Sequence, residues 1–458
     1  MSSKSYRMWN GNVRDAALSI LMAIEKNQAY SNLLLHQTIE KYDIEPKDRG
    51  LLTEITYGTL QHKMTLDYYL QPFIKGKLDD WVRQLLRLSL YQIHYLDRIP
   101  NHAAVNEAVE IAKKRSHKGT AGLVNGILRG ILRQGVRSTE DIADPLERLS
   151  IEASHPLWLI ERWVKQFGFE QAQTMAFENN IPPAHTVRVN TTRISVEEAI
   201  DMLLDEGIVA HQSEVIPECL HIEKGQVAKT KAYQYGAVSI QDESSMIPTY
   251  ALQIEPGQRV LDMCAAPGGK SMHIAEKLNN QGSLVSVDLH PHKVKLIADQ
   301  ATRLGFNNVE TRTWDSRELT NEYDEQSFDR ILVDAPCSGL GVIRRKPDIK
   351  YTKKQEDFAS LHNIQIRLLD EAYKLIKPNG LIVYSTCTID EVENNGTVQA
   401  FLANHTDMML DELDNVLPEA YHHLTSNGMI HIFPQDFNSD GFFVAAFRKK
   451  EFPSNEGK

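Results

Sequence analysis

Cysteine is scarce in this chain: four in 458 residues, at positions 219, 264, 337 and 387, with no C-x-x-C pair. That excludes a disulfide-stapled fold and gives no support to a structural zinc site, so no metal is expected. Long apolar runs are missing as well. The segments 380–384 and 442–447 are strand-sized, far short of the ~18–20 residues that span a bilayer. Residues 1–11 are polar and lack an apolar h-region, so secretion is not expected and a cytoplasmic location is. There is no low-complexity tract or internal repeat, and 42% hydrophobic with 24% charged residues excludes wholesale disorder. A basic excess is absent too: the net charge is −11, which at first argues against nucleic acid.

What is present is unevenly distributed. Residues 1–150 carry 21 Lys+Arg against 17 Asp+Glu, whereas the remainder carries 29 against 44. Between 111 and 139 stand Lys113, Lys114, Arg115, Lys118, Arg129, Arg133 and Arg137, with no acid among them. Phosphate binding needs a local patch of this kind, although a single charge run is more often a solvated helix face.

At roughly 150 residues per domain the length suggests about three domains. Residues 1–140 read as all-helical: Val13, Ala16, Ala17, Ile20, Leu21 and Ile24 form one apolar stripe at helical spacing, and further stripes follow at 81–96, 105–112 and 121–132. Arg129, Arg133 and Arg137 repeat every fourth residue opposite the last stripe, which gives the basic run a face. Residues 155–237 read as a small α/β module. Pro182-Pro183 forces an extended entry to a strand at 186–190, and Ser195 caps a helix that Gly207 stops. From 238 to 450, short apolar strands alternate with helices, the pattern of a parallel sheet covered by helices on both faces.

The first such strand runs into a Gly-rich turn, Asp262-Met-Cys-Ala-Ala-Pro-Gly-Gly-Lys270. A backbone that closely approaches a ligand needs glycine there, and the following helix start offers free N–H groups. A phosphate loop would need Gly at 264, which is Cys264, and Gly268-Gly269 does not fit a dinucleotide fingerprint. S-adenosylmethionine remains. Asp288 ends the next strand, placed for the ribose hydroxyls, and Asp315 follows the strand after it, placed for the adenine rim.

Two cysteines sit at ends of later strands, in Asp334-Ala-Pro-Cys337-Ser-Gly and Ser385-Thr-Cys387-Thr. One strand-end cysteine is usually a small buried hydrophobe. A pair beside a methyl donor suggests covalent pyrimidine chemistry. Cytosine C5 is too electron-poor to attack a methyl group until a thiolate adds at C6 and makes it an enamine carbon. Asp334 is the nearest candidate to serve N3, and Lys270 the candidate to favour the thiolate.

These motifs, with Arg188-Val-Asn190, Gln241-Asp-Glu-Ser-Ser245 and Asp440-Gly-Phe-Phe443, resemble those of RNA 5-methylcytosine methyltransferases of the NOL1/NOP2/Sun family over roughly 180–448. The resemblance implies a Rossmann-like S-adenosyl-L-methionine-dependent methyltransferase domain. In it Cys387 is the nucleophile and Cys337 aids product release, with Asp334 and Lys270 beside them. Cys264, Ala265, Ala266, Pro267, Gly268, Gly269, Lys270, Asp288, Asp315 and Asp334 would contact the cofactor. Thr388-Ile389 departs from the family, where Ser is common after the nucleophile. Residues 1–140 resemble the NusB domain, through Asp48-Arg49-Gly50 and the segment from Thr53 to Gly58. A NusB-like domain before a Sun-type unit implies small-subunit ribosomal RNA as partner and a monomeric enzyme. Arg344, Arg345, Lys346, Lys350, Lys353 and Lys354 are then candidates for phosphates beside the target base. The alternatives are the same chemistry on tRNA or large-subunit rRNA, and a non-catalytic RNA-binding assembly factor. The intact cysteines, Asp334 and Gly-rich turn speak against the last.

Overall fold

The structure, a computed structural model, describes residues 11–27 and 31–451. Residues 1–10, on which most of the reading of the polar start rests, lie outside the described residues, as do 452–458. Among the described residues no helix is long and apolar enough to cross a membrane. The chain forms two compact units: Met1–Ile181 with Ile343–Thr352, and Pro182–Val342 with Lys353–Lys458.

The first unit is helical, as its periodicity predicts. Every residue of the stripe from Val13 to Ile24 is buried, because helical spacing puts all six on the side of Val13–Asn27 that meets the core. Helices Pro46–Gln61, Asp80–Tyr95, Asn101–Arg115 and Lys118–Gln134 contribute Leu52, Ile55, Leu85, Leu86, Val105, Val124 and Leu128 to the same core. Gly58 is required by packing: a Cβ there would fall 1.9 Å from the Tyr91 ring.

The basic run is divided by this packing. Gly135, at φ 77, ends its helix at Gln134, so Arg137 leaves the expected helical face and instead stacks 3.3 Å over Tyr68. Arg115 turns inward to Asp15 at 2.6 Å and Ser19 at 2.7 Å. Arg129 and Arg133 remain exposed on the helix.

Residues Ile343–Thr352 belong to this unit although they follow the Cys337 loop in sequence. The phosphate role expected of Arg344 and Lys350 does not survive, because both are buried. Arg344 donates to the Ile181 carbonyl at 3.0 Å and lies 3.4 Å from Glu178. Lys350 is wholly buried and donates to the Gln61 carbonyl at 2.8 Å and to Asn180 Oδ1 at 3.1 Å; burial pushes its amine well down.

In the second unit, β1 (Thr186–Val189), β2 (Val209–Gln212), β3 (Cys219–Lys224) and β4 (Val238–Ile240) form an antiparallel sheet of order β2-β3-β1-β4. Ser195 caps the helix Val196–Asp205 in a reciprocal capping box with Glu198, and Ala199 and Leu203 pack on Val187, Val189 and Leu220.

The larger sheet is built around β5 (Arg259–Asp262), β6 (Ser283–Asp288), β7 (Val309–Thr313), β8 (Phe328–Asp334) and β9 (Ile376–Thr386), all parallel. Adjacent residues alternate between two cores, Val260 and Leu332 on one side, Leu261, Ile331 and Val333 on the other, so the strands read as continuous apolar runs. The sheet is mixed rather than wholly parallel. After β10 (Met408–Leu410), β11 (Thr425–Ser426) and β12 (Met429–Ile432), β13 (Phe442–Lys449) returns antiparallel to β9. The order β11-β12-β13-β9-β8-β5-β6-β7 makes β5 the strand from which the chain proceeds first to one side and then to the other. Open α/β sheets hold their ligands in the crevice beyond the carboxyl ends of strands at that reversal.

Candidate active site

The Gly-rich turn, Asp288, Asp315, Asp334 and Cys387 stand at or just beyond the carboxyl ends of β5, β6, β7, β8 and β9. After β5 the chain turns at Gly268, whose φ of 108 is costly for any residue with a Cβ, and enters the helix Gly269–Leu278 with no side chain capping its N–H groups. Asp262 braces the turn: it accepts from Ser271 Oγ at 2.6 Å and from the Cys264 N–H at 3.4 Å. Burial pushes its carboxyl up to about 7. The helix is tied to β1 by Arg188, which is wholly buried, donates to both Glu276 oxygens at 2.7 and 2.9 Å, and reaches the Gly269 carbonyl at 3.3 Å. Breaking such a buried pair costs about 3–5 kcal/mol. Its bracing role, and that of Asp262, are invisible in the motifs alone.

Lys270, on the first turn of that helix, places Nζ 2.8 Å from Asp334 Oδ2 at the end of β8, and Ser385 on β9 donates to Asp334 Oδ1 at 2.8 Å. Burial opposes the ammonium, but Asp334 outweighs it and holds the Lys270 pKa above its ordinary value, with Cys387 adding in the same direction. Three separate strand ends thereby converge.

The two cysteines meet. Cys337 Sγ lies 3.4 Å from Cys387 Sγ. Their loops are held from behind: Ser338 donates its N–H to the buried Glu393 at 2.9 Å and shares a 2.7 Å hydrogen bond with Thr388, while the Gly341 N–H bonds the Cys387 carbonyl at 3.0 Å. The hydrogen bond with Cys387, then burial, push the Cys337 thiol well up. Thr388, where the family commonly has Ser, keeps the hydroxyl that this bond uses.

The remaining predicted positions lie around the turn. Ala265, Ala266 and Pro267 continue it between Cys264 and Gly268. Asp288, at the end of β6, accepts the His290 N–H at 3.1 Å and is half-buried. Asp315 follows β7 with both carboxylate oxygens engaged by Arg317, whose hydrogen bond holds its carboxyl below the ordinary range. Burial pushes the Cys264 thiol well up, and Asp262, Asp334 and Asp288 all add to the effect. A crevice with carboxylates on several sides and uncapped N–H groups at its floor fits a ligand that carries a sulfonium, an ammonium, a carboxylate and ribose hydroxyls.

Comparison with known proteins supports the fold and the cofactor class. Residues 249–448 match the 16S rRNA methyltransferase RsmB/F family, 11–133 the NusB family, and 155–228 the ferredoxin-like domain of RsmF/B-like methyltransferases. The probable ribosomal RNA small subunit methyltransferase B of Bacillus subtilis is 50% identical over 441 residues, 96% of this chain and 99% of its own. The crystal structure of PH0851 aligns at TM-score 0.81 and 26% identity, over 97% of this chain and all of its own. NSun6 from Pyrococcus horikoshii, determined with the S-adenosylmethionine analogue SFG, shares the fold at TM-score 0.59 and 23% identity over 65% of this chain and 99% of its own.

Fold and crevice together define an S-adenosylmethionine-dependent methyltransferase that carries a helical NusB domain and a ferredoxin-like module. Within that class, the chain belongs to the RsmB/F family.

Proposed function

We propose that this chain methylates C5 of a cytosine in small-subunit ribosomal RNA through a covalent adduct between Cys387 and C6. One observation carries the reading: two thiols in contact, 3.4 Å apart, beside the Lys270–Asp334 pair. The relatives' names, ribosomal RNA small subunit methyltransferase B, support the substrate class, and a cytoplasmic location goes with that reading.

S-adenosylmethionine, when bound, supplies an electrophilic methyl group. The Lys270 ammonium favours thiolate at Cys387, and in this mechanism the Cys337 S–H, 3.4 Å away, is the group that donates to that sulfur. As the Cys387 S–C6 bond forms, ring electrons move towards C5, and charge developing near N3 meets the Lys270–Asp334 pair. Asp334 accepts through both oxygens, so it orients Lys270, and Lys270 is the donor. Once Cys387 is alkylated it no longer holds the Cys337 proton in place. Cys337 can then release its own proton to solvent and, as thiolate, take the C5 proton left after methyl transfer. The electrons return to C5=C6, the S–C6 bond breaks, and Cys387 leaves as thiolate.

Denaturing gels of full-length variants incubated with rRNA and S-adenosylmethionine test the roles. Cys387→Ala should give neither product nor adduct, and Cys337→Ala should accumulate protein covalently attached to RNA. An adduct in the Cys387 variant alone would reverse the assignment, and full turnover in both would remove the covalent mechanism.

A further inference from the structure

Away from the crevice, the fold gathers a second set of reactive side chains. Cys219 and His221 are two apart on β3, so both project from the same face of the small sheet. Glu243, 22 residues beyond His221 in sequence, lies with its Oε2 3.2 Å from His221 Nε2. One donor atom from each of Cys219, His221 and Glu243 lies within 4.8 Å of the other two. Cys219 and Glu243 are buried and His221 is partly exposed, so the cluster opens on one side.

A hydrogen bond between His221 and Glu243 would alone account for two of these groups. It leaves two others unexplained. The Tyr421 side chain is fully buried, and its hydroxyl has no hydrogen-bond partner among the described residues. It lies close enough to Glu243, Asp242 and Cys219 to feel their charges. Cys219 is itself surrounded by Glu243, Asp242 and Glu218, while the nearby cation, Arg188, is committed to Glu276. Glu218 is answered by Lys277 at 2.9 Å, which leaves the thiol of Cys219, the carboxylate of Glu243 and the unpartnered Tyr421 hydroxyl without a committed cation beyond His221.

We propose that Cys219, His221 and Glu243 bind a zinc-class divalent metal, with a water as fourth ligand. Thiolate, imidazole and carboxylate together select zinc over magnesium or calcium, which take oxygen ligands. The His221–Glu243 separation suits two ligands on one tetrahedral centre. Glu243 has the outer support expected of a metal-bound carboxylate, since Ser213 Oγ donates to its Oε1. The Tyr421 hydroxyl would bond the metal-bound water. On binding, the Cys219 S–H gives its proton to solvent and the sulfur becomes the metal ligand. The metal would pin β3 to the segment leading into the methyltransferase sheet. The lack of a C-x-x-C pair argues against zinc only while the search is confined to neighbours in sequence.

The test uses full-length protein stripped with a chelator, dialysed against zinc and assayed for metal content, with cobalt(II) as optical probe. Wild type should retain one zinc per chain and give the thiolate-to-cobalt charge-transfer absorption. Cys219→Ser should lose that absorption, His221→Ala should lose stoichiometric zinc, and Tyr421→Phe should bind about tenfold more weakly. Cys387→Ala should retain both signals. Circular dichroism shows that each variant is folded, and His221→Ala, at a partly exposed position, keeps the test valid if Cys219→Ser does not fold. No stoichiometric zinc in wild type, or zinc that persists without His221, or an absorption that follows Cys387, overturns the proposal.

Discussion

Cys387 and Cys219 are the same residue in opposite fields. Cys387 lies close enough to the Lys270 ammonium to raise its pKa, and it shares a 3.4 Å contact with a second thiol. Cys219 is sealed among carboxylates, and burial first, then Glu243, push its thiol far up. The two are within one unit of the fold, so reactivity here is assigned by burial and immediate neighbours together rather than by domain. Cys264 falls on the side of Cys219: it lines the proposed cofactor turn as a neutral thiol, with no cation beside it strong enough to offset three acids.

The contrast is broken most directly by removing the cation. Lys270→Met should lower kcat/KM by about 10–100-fold at neutral pH, as expected when an opposite charge is taken from beside a thiolate. The loss should shrink as the assay pH rises, because solution then deprotonates Cys387 without help. An unaltered pH profile would separate Lys270 from the nucleophile.

Alkylation reads the same contrast without turnover. In chelator-treated protein at neutral pH, iodoacetamide should modify Cys387 at least ~10-fold faster than Cys219, as followed by peptide mass spectrometry. Equal rates would mean that the surrounding charges do not decide reactivity.

How much of this was legible in sequence depended on the distance between partners. The turn from Asp262 to Lys270 is a continuous segment, and Asp288, Asp334 and Cys387 each end an apolar strand, so local pattern located them. The parallel order of β5 to β9 then brought those ends together. Lys350 was misread because its partners, Gln61 and Asn180, lie 289 and 170 residues away, and a lysine in a basic stretch looks solvated until the fold buries it. Arg137 was misread for a local reason, since the helical count was carried through the left-handed turn at Gly135. Cys219 gave no signal: its companion acid comes from another segment.

Two smaller effects refine the picture. Asp262 is held up to about 7 in the folded state, above an unfolded value near ~3.9, so its protonated form favours folding. That contribution is fully present below about pH 4 and disappears as pH rises through about 7. Thermal melts from pH ~5 to ~8 should therefore fall more steeply for wild type than for Asp262→Asn. Parallel curves would remove this carboxyl from the stability balance. In the helical unit, replacing Arg129 and Arg133 with Gln should weaken rRNA binding modestly and reduce the slope of log Kd against log salt by about 1.4–1.8. An unchanged slope would return the pair to the role of a solvated face.

The excursion of residues 343–352 into the helical unit bears on how this enzyme can be dissected. The chain leaves the catalytic unit at Val342, immediately after the Cys337 loop, and re-enters it at Lys353. A deletion that removes the N-terminal helices therefore does not excise a module. It strips the surroundings from Lys350 and Arg344 and leaves a wetted, unanchored bridge next to a cysteine on which turnover is proposed to depend. Loss of activity in such a fragment would report a damaged loop as readily as a missing RNA-binding surface. Point substitutions on the exposed arginines keep those two causes apart, and truncation merges them.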